Sequence, residues 1–148
     1  MKKEVYIQIK GIQRNEFESD ETELLTQGFL FERNGKHYLV YDESETTGFQ
    51  NCRTTLKLDC SDKVTMRRIG PTRSELIIEK GVRNVGLYGT AVGDLQIGVF
   101  ADTIKNELTD QGGKVYFKYQ LDVNSVFLSE NEIFIDVQST QDNSEGTN

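Results

Sequence analysis

The sequence predicts an all-β fold, an antiparallel up-and-down β-barrel of eight to ten strands, and three observations carry that prediction. From Lys114 to Val123 the chain alternates: Val115, Phe117, Tyr119, Leu121 and Val123 share one parity, and Lys114, Tyr116, Lys118, Gln120 and Asp122 the other. A period of two marks a strand with one buried and one wet face, and similar runs, broken by turn residues, fill most of the chain. Asn34-Gly35 lies between two such runs, and a type I′ hairpin turn needs positive φ at both of its central residues. The chain also has a single proline, Pro71, as expected where ladders use nearly every amide hydrogen.

Taken in order, the first strand runs from about Glu4 to Ile12 with Val5, Ile7 and Ile9 on one face, and an acidic loop follows at Asn15 to Asp20. The second, about Thr22 to Arg33, changes parity between Leu24 and the pair Leu25 and Phe29; a bulge at Gly28 would absorb the slip. After the hairpin the third strand sets His37, Leu39 and Tyr41 against Tyr38 and Val40. The fourth follows the loop Asp42 to Gln50 and sets Cys52, Thr54, Leu56 and Leu58 against Arg53, Thr55, Lys57 and Asp59. Turns at Ser61-Asp62, Gly70-Pro71-Thr72 and Lys80-Gly81 separate strands at Lys63 to Ile69, Arg73 to Glu79 and Val82 to Thr90. Gly93-Asp94 opens a run through Leu95, Ile97, Val99 and Ala101. A bulge near Asp102 continues it as strand with Ile104, Asn106 and Leu108 on one face, although Ile104 and Leu108 also have helical spacing. Gly112-Gly113 leads into the strand at Lys114 to Val123, and Asn124-Ser125 into a last one with Ile133, Ile135 and Val137 on one parity.

One domain over residues 1–138 is expected, since 148 residues suffice for a core without disulfide or metal staples. Residues 139–148 are polar and too poor in apolar groups to offset ordering, so a disordered tail is expected there. A meander of this kind avoids exposed edges most simply by closing, and an interior of that size holds side chains or one small ligand. The formal net charge of −7 disfavours nucleic-acid and anionic-membrane partners. No apolar run has signal-peptide or bilayer-spanning length, so a cytoplasmic location is expected. Cys52 and Cys60, near the two ends of one strand, would stand roughly 26 Å apart. A disulfide needs Cα atoms within about 7 Å, so both are read as reduced, mostly buried thiols.

Several segments together resemble the YwiB-like family of bacterial proteins: Tyr41-Asp42-Glu43-Ser44-Glu45-Thr46-Thr47-Gly48, Thr54-Thr55-Leu56-Lys57, Gly93 to Phe100, Gly112-Gly113-Lys114 and Ser129-Glu130-Asn131. The resemblance covers nearly the whole chain except its tail. It implies a cytoplasmic, lipocalin-like or calycin-like β-barrel and no activity, because the family has no assigned catalytic or binding residues. The Gly-x-Trp signature of true lipocalins is absent, the chain having no tryptophan.

Candidate chemistry is sparse. The acidic loop Asp42, Glu43, Glu45 offers carboxylates for a hard cation or acid–base work, but without EF-hand spacing it reads first as a solvated loop turning at Thr46-Thr47-Gly48. His37, the one histidine, lacks a second His or Cys at ligand spacing. Gly89 to Gly93 lacks the Gly-Lys-Ser/Thr of a phosphate loop and reads as a hairpin. Residues 16–45 hold nine acids and two bases, whereas residues 62–83 hold three acids and six bases, so Arg67, Arg68, Arg73, Lys80 and Arg83 suggest a basic end. Such an end would suit an anionic ligand or self-association with the acidic region of a second copy; scattered surface pairs are the plainer reading.

Arg68 shares parity with Val64 and Met66, so if those point inward it does too, and at a barrel mouth it would be placed to pair with a ligand carboxylate or phosphate. The favoured reading is that it leaves to solvent where the strand ends or pairs internally with a glutamate. Tyr41 and Thr54 add inward hydroxyls, and Arg73 completes the candidate binding set. No catalytic constellation, cofactor or metal site is expected. The leading expectation is a noncatalytic binder of a small, partly apolar or anionic ligand. A filled barrel acting through its surface, as an interaction module or homodimer, comes second, and an enzyme using Glu43 and Glu45 last.

Overall fold

The computed structural model describes residues 2–140 apart from 48, 61 and 91, and the side chain of Cys60 is also outside the description. Ten strands follow one another: β1 (Lys3–Arg14), β2 (Ser19–Arg33), β3 (Lys36–Asp42), β4 (Arg53–Cys60), β5 (Lys63–Ile69), β6 (Ser74–Glu79), β7 (Arg83–Thr90), β8 (Gly93–Asn106), β9 (Gly112–Val123) and β10 (Val126–Ser139). Each pairs antiparallel with its sequence neighbours, and β1 pairs with β10, so the meander closes into a barrel without edges. A 3-10 turn, Glu45–Thr47, interrupts the β3–β4 connection.

The turn chemistry is local. Asn34 and Gly35 take φ of 55° and 77°, and Asn124 and Ser125 take 53° and 69°, so both hairpins use paired left-handed residues. The ladder between β8 and β9 shifts register between Ala101 and Thr103, which places the bulge at Asp102 and keeps Ile104 inside. No comparable shift occurs in β2. Its ladders to β1 and β3 run continuously through Gly28, and Leu25 and Phe29 lie on the outer face. Gly28 serves close approach instead: a Cβ there would stand 2.2 Å from the Val40 carbonyl oxygen and 2.7 Å from Ile7 Cδ1.

Cross-strand register stacks the interior of β3 to β6 in rows. Lowest lie His37, Leu58, Val64 and Ile78; above them Leu39, Leu56, Met66 and Leu76; above those Tyr41, Thr54, Arg68 and Ser74. The lower half, which also contains Val5, Phe117 and Val115, is apolar and buried. Its floor is the β8–β9 loop, where Leu108 is buried and Asp110 accepts from His37 Nε2 at 3.0 Å. The Lys3 ammonium donates to the Asp110 carbonyl.

One seam is short. β6 and β7 share two residue pairs, Ser74 with Tyr88 and Glu75 with Leu87. Below them the Asn84 side-chain amide donates to the Ile77 carbonyl and the Glu79 carboxylate. Cys52 is a free, buried thiol. At the chain's end, Thr140 Oγ1 donates to the Glu4 carbonyl; the rest of the expected tail lies outside the described residues.

Candidate functional site

Alternation points Tyr41, Thr54 and Arg68 inward, and register aligns them: Tyr41 is opposite Thr54, and Thr54 opposite Arg68. The row continues through Ser74, opposite Arg68, to Tyr88, opposite Ser74. Glu43 completes the group from the β3–β4 connection. The acidic-loop reading expects its carboxylate in solvent, but it is buried: 2% of the side chain is exposed, beside an Arg68 side chain at 15%. Arg68 Nε–H donates to Glu43 Oε2 at 3.2 Å, Thr54 Oγ1–H donates to the same oxygen, and Thr47 Oγ1–H donates to Oε1 at 2.8 Å. Burying a charge is tolerable only with a partner and satisfied lone pairs, and both conditions hold here. The Glu43 N–H also donates to the Cys52 carbonyl, so the connection is closed at its base.

The guanidinium has a second contact, with its Cζ 4.0 Å from the Phe49 ring centroid. Phe49 thereby seats the β3–β4 connection over Arg68 by cation–π attraction. Burial works against the Arg68 charge, but the Glu43 carboxylate beside it works the other way, and its pKa lies above the ordinary arginine value. Burial, followed by the Glu43 charge, pushes the Tyr41 phenol up; burial pushes Tyr119 up to about 12. The phenols here are neutral groups at any ordinary pH.

A cavity of about 160 Å³ adjoins this group. It reaches from Gln13 and Asp20 at the rim to Leu56, Met66 and Leu76, and Tyr88, Tyr119 and Asn131 face it from the other wall. The Ser74 hydroxyl is the one buried side-chain polar atom without a hydrogen-bond partner among the described residues.

Other sequence candidates scatter. Arg73 is exposed, beyond the start of β6 and outside the interior; its carbonyl accepts from the Gly89 N–H. The suggested basic end does not assemble. Arg68 is inside, Arg67 lies 3.8 Å from Glu75, and Arg83 pairs with Asp122 at 2.6 Å. Lys80 and Arg83 flank the β6–β7 turn, at the opposite end of β6 from Arg73. Glu45, suggested as the catalytic partner of Glu43, is exposed, so the two carboxylates do not share a site. Gly89 and Gly93 belong to the β7–β8 hairpin. The residues best placed to hold a metal are Glu32, His37 and Asp110, whose ligand atoms lie within 4.8 Å of one another at the other end of the barrel. Sequence reasoning missed Ser74, Phe49 and the burial of Glu43. The alternation of Ser74 with Leu76 and Ile78 was the available signal for the first.

These features define a closed ten-stranded up-and-down β-barrel with a buried ion pair and a small cavity in one half. The chain matches the family described as "Domain of unknown function (DUF1934)" over residues 7–135, and it belongs to that family. It is similar to the "Uncharacterized beta-barrel protein YwiB" of Bacillus subtilis (strain 168), with 22% identity over 119 residues, 80% of this chain and 82% of that protein. The crystal structure of the ywiB protein from Bacillus subtilis superposes with a TM-score of 0.80 at 17% identity, covering 93% of this chain and 92% of that one. Among the described residues, no helix is long and apolar enough to cross a membrane.

Proposed function

We propose that the protein is a noncatalytic binding barrel that admits one small, partly apolar molecule to the upper half of its interior. The observation that carries this reading is the cavity beside the Arg68–Glu43 pair. An interior ion pair is a costly filling for a barrel, since apolar residues of similar volume often give equal or greater stability. Its position against an unfilled space suits a group kept to recognise something. The volume is close to that of an engineered cavity of about 150 Å³ that holds benzene, so the ligand is ring-sized rather than lipid-sized. Glu43 is paired with Arg68 and accepts from Thr47 and Thr54 as well, which holds its carboxylate in place and favours binding over catalysis. A cytoplasmic location is consistent with the free Cys52 thiol.

Native mass spectrometry of protein purified from its own cells tests this. One copurifying small mass, lost in the Arg68→Met variant, is expected. Bare protein, together with no cavity-residue shift in NMR titrations with ring-sized fragments, would overturn the reading.

A second reading, a homodimer acting through its surface, is favoured by the short β6–β7 ladder and the outward Val85 and Leu87, which are 59% and 49% exposed. The same native spectra report it as a doubled mass that reverts to monomer in Val85→Lys.

A further inference from the structure

Beyond the existence of a ligand, the upper half specifies its polar group. The charge of Arg68 is already met by Glu43, at 3.2 Å and almost out of solvent. What remains unmet is hydrogen-bond donation. Among the described residues Arg68 bonds only through Nε, which leaves Nη1 and Nη2 as donors. Ser74, opposite Arg68 and on the inward parity of Leu76 and Ile78, is 7% exposed with its hydroxyl unpartnered. Tyr88 and Tyr119 bring two further hydroxyls to the cavity wall, neither with a hydrogen-bond partner among the described residues. A buried donor without an acceptor is costly to leave; among the described residues the Ser74 hydroxyl alone is one, and it does not line the cavity, so the donors a ligand there can meet are those of Arg68, Tyr88 and Tyr119.

We infer that the ligand is an uncharged, ring-sized molecule bearing a hydrogen-bond acceptor such as a carboxamide or ketone oxygen, which the Arg68 terminal nitrogens hold with the Tyr88 and Tyr119 hydroxyls beside them on the cavity wall. An anion would satisfy the same donors, but it would place a second negative charge beside Glu43 in a water-poor interior, where like charges repel strongly. A cation would find Glu43 already paired with Arg68 and accepting from Thr54 and Thr47, and the Asp20 carboxylate only at the rim. The tyrosines report the same environment: burial and the Glu43 charge hold the Tyr41 phenol neutral. The ligand's apolar ring then rests on Met66, Leu76, Leu121 and Ile133, which line the cavity.

This inference rests on the binding-barrel reading, and matched probes separate the two. Benzamide and benzoate have the same size and differ in charge, and toluene lacks the polar group altogether. Titration calorimetry near pH 7 is expected to give benzamide at least about tenfold tighter than benzoate. Glu43→Gln leaves the Arg68 charge unbalanced at nearly constant shape, and is expected to invert the order in favour of benzoate. Tyr88→Phe, which removes one hydroxyl from the cavity wall and keeps the ring, keeps the fold accessible if Glu43→Gln does not fold. It is expected to weaken benzamide about fivefold without lowering the melting temperature. Benzoate binding as tightly as benzamide in the wild type, or benzamide indifferent to Tyr88→Phe, overturns the inference while toluene binding preserves the cavity. Failure of all three probes overturns both readings.

Discussion

The two halves of the barrel interior solve the same packing problem differently. Below, Leu39, Leu58, Val64, Ile78 and Phe117 fill the space with apolar side chains, each at most 2% exposed. Above, the same strands, one row further on, present Tyr41, Thr54, Arg68 and Ser74, of which Tyr41 and Arg68 line a cavity. Strand geometry is common to both halves, so the contrast comes from side chains alone. The lower half is filled with apolar side chains, and the upper half keeps an ion pair beside unfilled space.

The sharpest way to break that comparison is Phe117→Ala. A void in the filled half is expected to cost about 4 kcal/mol in denaturant unfolding; a loss below about 1 kcal/mol would show that the lower half is not tightly packed. Next comes Arg68→Met, which strands the Glu43 carboxylate at an expected cost of about 3 kcal/mol. The double variant Arg68→Met/Glu43→Gln is expected to recover at least about half of that. Additive losses would mean that the two residues do not act as a pair.

A smaller effect lies outside the barrel, where the Tyr116 hydroxyl and Arg14 both donate to Glu132 at 2.6 Å and hold its carboxyl below the usual glutamate value. The depressed folded value means that this contribution is complete above the unfolded pKa of about 4.3. It is lost as pH falls through the folded value. Glu132→Gln is expected to flatten the acid limb of the stability curve and to leave the neutral limb's shape unchanged. Smallest is Ser74→Ala, where loss of an unpartnered buried hydroxyl is expected to change stability by no more than about 0.5 kcal/mol, in the stabilising direction.

Legibility differed between these regions for a physical reason. Period-two patterning reports which face a residue is on, and it placed Leu39, Leu56, Val64, Phe117 and the inward Tyr41, Thr54 and Arg68. It misread β2, where outward Leu25 and Phe29 imitate a change of face. Hydrophobicity marks burial only when the outer face is polar. The true role of Gly28, admitting the Val40 carbonyl, depends on a neighbouring strand and leaves no local trace. Glu43 was hidden likewise: it lies in an acidic loop, and its partners Thr54 and Arg68 come from β4 and β5.

By itself, then, the sequence determined the strands, the Asn34-Gly35 hairpin, the bulge at Asp102 and the inward parity of the polar row, because each depends on residues a few positions apart. Tertiary structure alone decided the closure of β1 on β10, the burial of Glu43 against Arg68 and the orphaned Ser74 hydroxyl. Those depend on cross-strand register, which brings together residues that alternation can orient but cannot pair.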